Sequence, residues 1–127
     1  MAYFVFAKTA SQLQVNLNEL SLYVKEYWVV VEEDVNCQER FGGYWKIRFG
    51  VYDLEFTVSK ELRSIAIDSD LIRAIQFAFW FRRFIPAEIP LVLYDDSGEE
   101  FISLDNPYDE IHAINYAYGK LSAWPPP

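Results

Sequence analysis

Apolar and polar positions along this chain alternate with two periods, and each period predicts an element. Trp45-Lys46-Ile47-Arg48-Phe49 and Tyr52-Asp53-Leu54-Glu55-Phe56 alternate with period two, as strands do when one face is buried and the other wet. Gly50 lies between them at a bend or bulge, joining two strands or kinking one long one. Asp53 and Glu55 share a face, where Lys46 and Arg48 can oppose them as cross-strand ion pairs. Residues 2–7, AYFVFA, are apolar without a break and predict a buried strand. WVVVEEDV, from Trp28, predicts another that runs into acids.

The helical period is clearest in SDLIRAIQFAFWFRRFIP. Arg73, Gln76 and Arg83 fall on one side, and Ile72, Ile75 and Phe79 belong to a wide apolar face. The reading is a central helix over about 69–85, capped by Ser69 or Asp68, with Asp70 in its first turn and Pro86 ending it. Arg82 lies off the polar side, so it snorkels or pairs with a carboxylate. Between Leu13 and Tyr27 a short helix capped by Asn18 is favoured over an alternating strand. Residues 90–95 and 99–104 predict a hairpin around Asp96-Ser97-Gly98-Glu99. Asn106, Pro107, Asp109, Glu110 and Gly119 then punctuate a C-terminal helix over about 107–118. The order βαβββαββα predicts an α+β fold, a mainly antiparallel sheet of about 5–6 strands packed against the central helix.

Length and composition fit one domain over residues 1–127. Hydrophobic residues make up 52% of the chain, enough to exclude disorder and build a core without disulfides or metal. Aromatics reach 18%, so some rings are expected at the surface, where Tyr and Trp often anchor interfaces. Cys37 is the sole cysteine, which rules out an intramolecular disulfide and suits a reducing compartment. The first apolar run is too short for a signal-peptide core, and Arg73, Arg82 and Arg83 interrupt Leu71 to Ile85. A cytoplasmic protein with no membrane span is the expectation.

Charge sharpens this picture. The net charge is −8, and it is unevenly placed. Residues 1–87 hold 10 Lys and Arg against 11 Asp and Glu, whereas residues 88–127 hold 1 against 8. A binder of phosphate backbones or anionic lipid needs the opposite sign, so nucleic acid and membrane are not expected partners. Residues 91–119 carry seven carboxylates and no Lys or Arg. Helix-dipole complementarity and protection of a hairpin edge explain some of these acids, but not the missing cations.

Candidate chemistry is sparse. His112, three residues after Asp109, could act as a general base, and a Cys37–His112 pair is conceivable, but neither sits in a supporting motif. Asp95, Asp96, Glu99 and Glu100 lack calcium-loop spacing, and zinc needs more Cys and His than the chain holds. The Gly42-Gly43 pair reads only as a turn, and the terminal Trp124-Pro-Pro-Pro as an extended tail. No catalytic residue, cofactor or metal is therefore assigned.

A basic protein partner is the class that rewards an acidic, aromatic stretch. A negative patch speeds encounter with a positive surface, and rings among the acids supply desolvated anchors. The expected interface is Tyr94, Asp95, Asp96, Glu99, Glu100, Phe101, Asp105, Tyr108, Asp109 and Glu110. In general character (small, acidic, without catalytic motifs) the chain resembles the immunity proteins of bacterial toxin systems. The resemblance is one of profile and carries over no site residue; it implies a non-enzymatic inhibitor of a cognate toxin, nucleases being one class of basic toxin that would fit. Two alternatives stand beside it. One is a small enzyme or ligand-binding protein with a pocket lined by Trp80, Tyr52 and Arg73; the other is a self-assembling subunit. As a binding module, the protein is expected to be a monomer or weak homodimer.

Overall fold

The computed structural model describes residues 2–9, 13–36, 40–96, 100–105 and 110–117. In chain order the elements are β1 (Ala2–Ala7), α1 (Leu17–Tyr27), β2 (Val29–Asp34), β3 (Gly43–Phe49), β4 (Tyr52–Val58), β5 (Ser64–Asp68), α2 (Leu71–Arg82), β6 (Leu91–Tyr94), β7 (Glu100–Ser103) and α3 (Glu110–Ala117). The seven strands form one sheet in the order β2-β3-β4-β5-β1-β6-β7. Every pairing is antiparallel.

The α+β class is as expected, and the strand count is higher by β5. That strand places only Ile65 and Ile67 in the core, while Ser64, Ala66 and Asp68 alternate with them outside it. The helix starts also differ from expectation. Asn16, not Asn18, caps α1 by accepting the Glu19 N–H at 3.0 Å. Asp70, not Ser69 or Asp68, caps α2 by accepting the Arg73 N–H at 2.9 Å. Helix α2 ends at Arg82, and backbone bonds from Arg83, Phe84 and Ile85 to carbonyls three residues back complete a tighter turn before Pro86. The expected cap of α3, Asn106, lies outside the described residues. No described helix is long and apolar enough to cross a membrane.

The helices share one face of the sheet. Leu20 and Val24 of α1, Ala74, Ile75, Phe77, Ala78, Trp80 and Phe81 of α2, and Ala113 of α3 join one core with the inward residues of the strands. Trp45 and Phe56 stack at 5.2 Å within it, and Phe56 meets Phe77 at 4.6 Å. Burying each such ring contributes about 2–3 kcal/mol, which holds helix to sheet. A second aromatic group joins α1 to α2, where Tyr23 stacks on Trp80 at 4.6 Å and on Phe84 at 5.2 Å.

Both edge strands are guarded. Each carries a register irregularity against its neighbour, between Val30 and Glu32 in β2 and opposite Leu93 and Tyr94 in β7. Acidic residues lie on both, a combination that discourages edge-to-edge association. The other face of the sheet carries no described helix. On it the strands display the side chains that alternate with the core residues.

Candidate binding site on the open sheet face

The open face has two halves with β5 between them. On one half, strand pairing sets Lys46 opposite Glu55 and Arg48 opposite Asp53. Arg48 Nε lies 2.8 Å from Asp53 Oδ1, and Lys46 Nζ lies 3.9 Å from Asp53 Oδ2, so the cross-strand pairing read from the alternation is present. Tyr44 belongs to this half. Burial, the charge of Glu55 and a hydrogen bond to it push the Tyr44 phenol up to about 12. These charges satisfy one another.

The second half is aromatic. Residues 2–7 do form a strand, yet only Tyr3, Val5 and Ala7 are buried. Phe4 and Phe6 point to the open side, and Phe6 remains 36% exposed. Phe4 pairs with Tyr94 across β1 and β6. The Phe6 ring reaches diagonally to the Tyr94 ring, edge to face, with centroids 5.7 Å apart. Such a diagonal contact is what pleated neighbours allow. Val92, opposite Phe6 in the register, is fully buried although it lies outside the helix-side core.

These rings line a groove of about 520 Å³ bounded by Asp95 and Asp96 at one end and Ala7 and Lys8 at the other. Antiparallel pairing fixes the ends. The Lys8 N–H donates to the Pro90 carbonyl at 3.0 Å, just before β6 begins, whereas the two aspartates follow its last residue. Tyr3 lies close beneath the acidic end: burial raises its phenol, and the charges of Asp96 and Asp95 raise it further.

The expected acidic patch is therefore divided in space. Tyr94, Asp95 and Asp96 share the groove, but Asp105 and Glu110 line a separate cleft beside Arg82, Arg83 and Phe79 at the end of α2. Asp105 Oδ1 accepts Arg82 Nε at 3.0 Å, and Oδ2 accepts the Leu91 N–H at 2.9 Å. Arg82 also donates to the carbonyls of Ile85 and Ala87 at 3.1 and 2.9 Å. Asp105 thus anchors the start of β6, while Asp95 follows its end, about 13 Å away at strand rise. Glu100 and Phe101 contribute backbone to β7, and their side chains are not described. Glu99, Tyr108 and Asp109 lie outside the described residues, as does Cys37. His112 falls on α3, its side chain likewise not described.

The sequence reading missed Phe4 and Phe6 because an unbroken apolar run looks buried on both faces. It also missed Glu33. This carboxylate accepts Trp45 Nε1 at 2.8 Å, meets Lys25 Nζ at 2.9 Å and accepts the Ser21 hydroxyl. Burial alone would raise its pKa, but the bonds from Ser21, Lys25 and Trp45 and the Lys25 charge outweigh that and hold it below the usual range. All three donors belong to α1 or β3, so Glu33 ties edge strand β2 to its neighbours.

The pocket suggested by Trp80, Tyr52 and Arg73 has a different arrangement. The Arg73 guanidinium stacks 3.8 Å over the Tyr52 ring at the surface, while Trp80 is 7% exposed within the α1–α2 aromatic group. Among the described residues no cluster of three or more His, Cys, Asp or Glu is placed to hold a metal ion. What the geometry offers is a shallow, aromatic, charge-tipped surface, suited to binding a side chain or segment. Compared with known proteins, the chain matches no family model, no curated protein and no solved structure.

Proposed function

We propose that this protein is a small acidic binding module that neutralises a basic protein partner, as an immunity protein neutralises its toxin. The observation that carries the reading is the groove between β1 and β6, with Phe4, Phe6 and Tyr94 as its floor and Asp95 and Asp96 at one end. Exposed rings provide the desolvated contact, and the carboxylates steer a positive surface toward them. The net charge of −8 adds long-range attraction for such a partner. The interface so proposed keeps Tyr94, Asp95 and Asp96 from the acidic stretch, adds Phe4 and Phe6, and leaves Asp105 to its structural bonds with Arg82.

The test is capture of a partner from the native cells at low salt by the tagged wild type and by the Asp95→Lys/Asp96→Lys variant. The reading expects a small basic protein in stoichiometric amount, released by salt, whose own activity is suppressed when bound and which the variant fails to retain. Equal retention by the variant, with unchanged salt dependence, would remove the groove from the interface. A second reading, weak self-association, draws on Leu22, Tyr27, Val29 and Val31, all exposed on α1 and β2. A solution mass well above 14.9 kDa would favour it.

A further inference from the structure

The groove has a direction. Lys8 and Asp96 are both exposed, and neither forms an ion pair with a described residue. They stand at opposite ends of the aromatic floor. In the register of β1 against β6, six residue steps separate their backbone positions, roughly 20 Å at strand rise. Between them, the rings of Phe4 and Phe6 are 6.2 Å apart, close to the two-residue repeat of an extended chain, about 6.6 Å. Alternate side chains of an extended segment would therefore meet successive rings.

Resting on the proposed function, we infer that the groove takes one extended segment of the partner in a single direction, with a Lys or Arg at the Asp95–Asp96 end and a carboxylate at Lys8. A purely cationic segment satisfies only one end and places its second cation against Lys8. A segment with cation and carboxylate about six residues apart satisfies both. Lys8 then acts as the element that rejects the wrong partner, which an acidic patch alone cannot do.

Fluorescence polarisation with three labelled, capped peptides tests this on the full chain. All are built on threonine and leucine, with Arg and Glu, Arg and Arg, or Glu and Glu placed about six residues apart. The wild type should bind the Arg–Glu peptide at least about threefold more tightly than the Arg–Arg peptide, the worth of one exposed charge contact. Lys8→Glu should reverse that order, and Asp95→Lys/Asp96→Lys should move the preference to the Glu–Glu peptide. If Lys8→Glu left the order unchanged while the double variant abolished binding, the direction would be wrong and the proposed function would stand. If the wild type bound no peptide, the inference would fail, and partner capture would judge the proposed function separately.

Discussion

Arg82 and Asp105, 23 residues apart in the chain, meet at 2.9 Å with 12% and 27% of their side chains exposed. The same carboxylate holds the first N–H of β6, and the same guanidinium closes the turn after α2. One ion pair thus fixes the α2–β6 connection at both ends. Asp105→Ala should destabilise the fold by about 2–4 kcal/mol, because it leaves a mostly buried cation and a strand N–H unpaired. Asp105→Asn, which keeps an acceptor, should cost less. Urea unfolding of the two variants checks the order.

Glu33 should give the fold an acid-sensitive contribution. Its folded pKa lies below the ordinary 4.5, so the contribution is complete above the unfolded pKa and fades as pH falls through the folded one. Glu33→Gln should flatten that limb of the stability–pH curve. Carboxyl NMR titration of the wild type should find Glu33 titrating below the ordinary 4.5.

Tyr44 gives the opposite limb. Raised from 10.0 to about 12, its phenol stays protonated in the fold where the unfolded chain would lose the proton. Stability from this group is complete below pH 10 and declines toward 12. Spectrophotometric titration of Tyr44→Phe against wild type should show the loss of one phenol transition near 12.

Gly42 and Gly50 answer to different constraints. A Cβ on Gly42 would sit 2.7 Å from the Ser59 carbonyl oxygen, a backbone atom that cannot swing aside. Gly42→Ala should cost about 1–3 kcal/mol through overpacking. Gly50 has open space but a φ of +68°, so Gly50→Ala should cost about 1 kcal/mol and Gly50→Asn less. Thermal melts of the three variants distinguish crowding from backbone strain.

Phe6→Ser separates binding from folding. The ring is 36% exposed and meets the rings of Phe4 and Tyr94, so the stability loss should be about 1–2 kcal/mol. Partner affinity should fall at least tenfold if Phe6 is a buried anchor of the interface. Calorimetric titration beside a chemical melt reads both quantities.

Most of the scaffold was legible because its strands and central helix contrast apolar with charged positions. The β3–β4 hairpin and α2 show that contrast in every turn or pleat, and the position of Arg82 off the polar side left snorkelling or a carboxylate partner, of which the fold uses the second. Strand β5 did not show it: two isoleucines between Ser64, Ala66 and Asp68 make too short and mild a pattern. Asn16 and Asn18 are chemically equivalent caps, and only the fold decides between them. The site was half legible. Tyr94, Asp95 and Asp96 stood out by charge and aromaticity, whereas the roles of Asp105 and Phe6 depend on residues brought in from α2 and β6, which no local pattern reveals.

The position of β1 also sets an order of assembly. Strands β2 to β5 are sequential neighbours, as are β6 and β7, so each group can form by local contacts. β1 is made first, yet its partners are β5 and β6, the latter more than 80 residues later in the chain. Until β6 emerges, an apolar hexapeptide with no charge waits without its full complement of hydrogen bonds, the kind of segment that aggregates or engages a chaperone. Because β1 supplies half of the groove, binding competence should arrive late in folding, when this earlier strand closes the gap between the two later units.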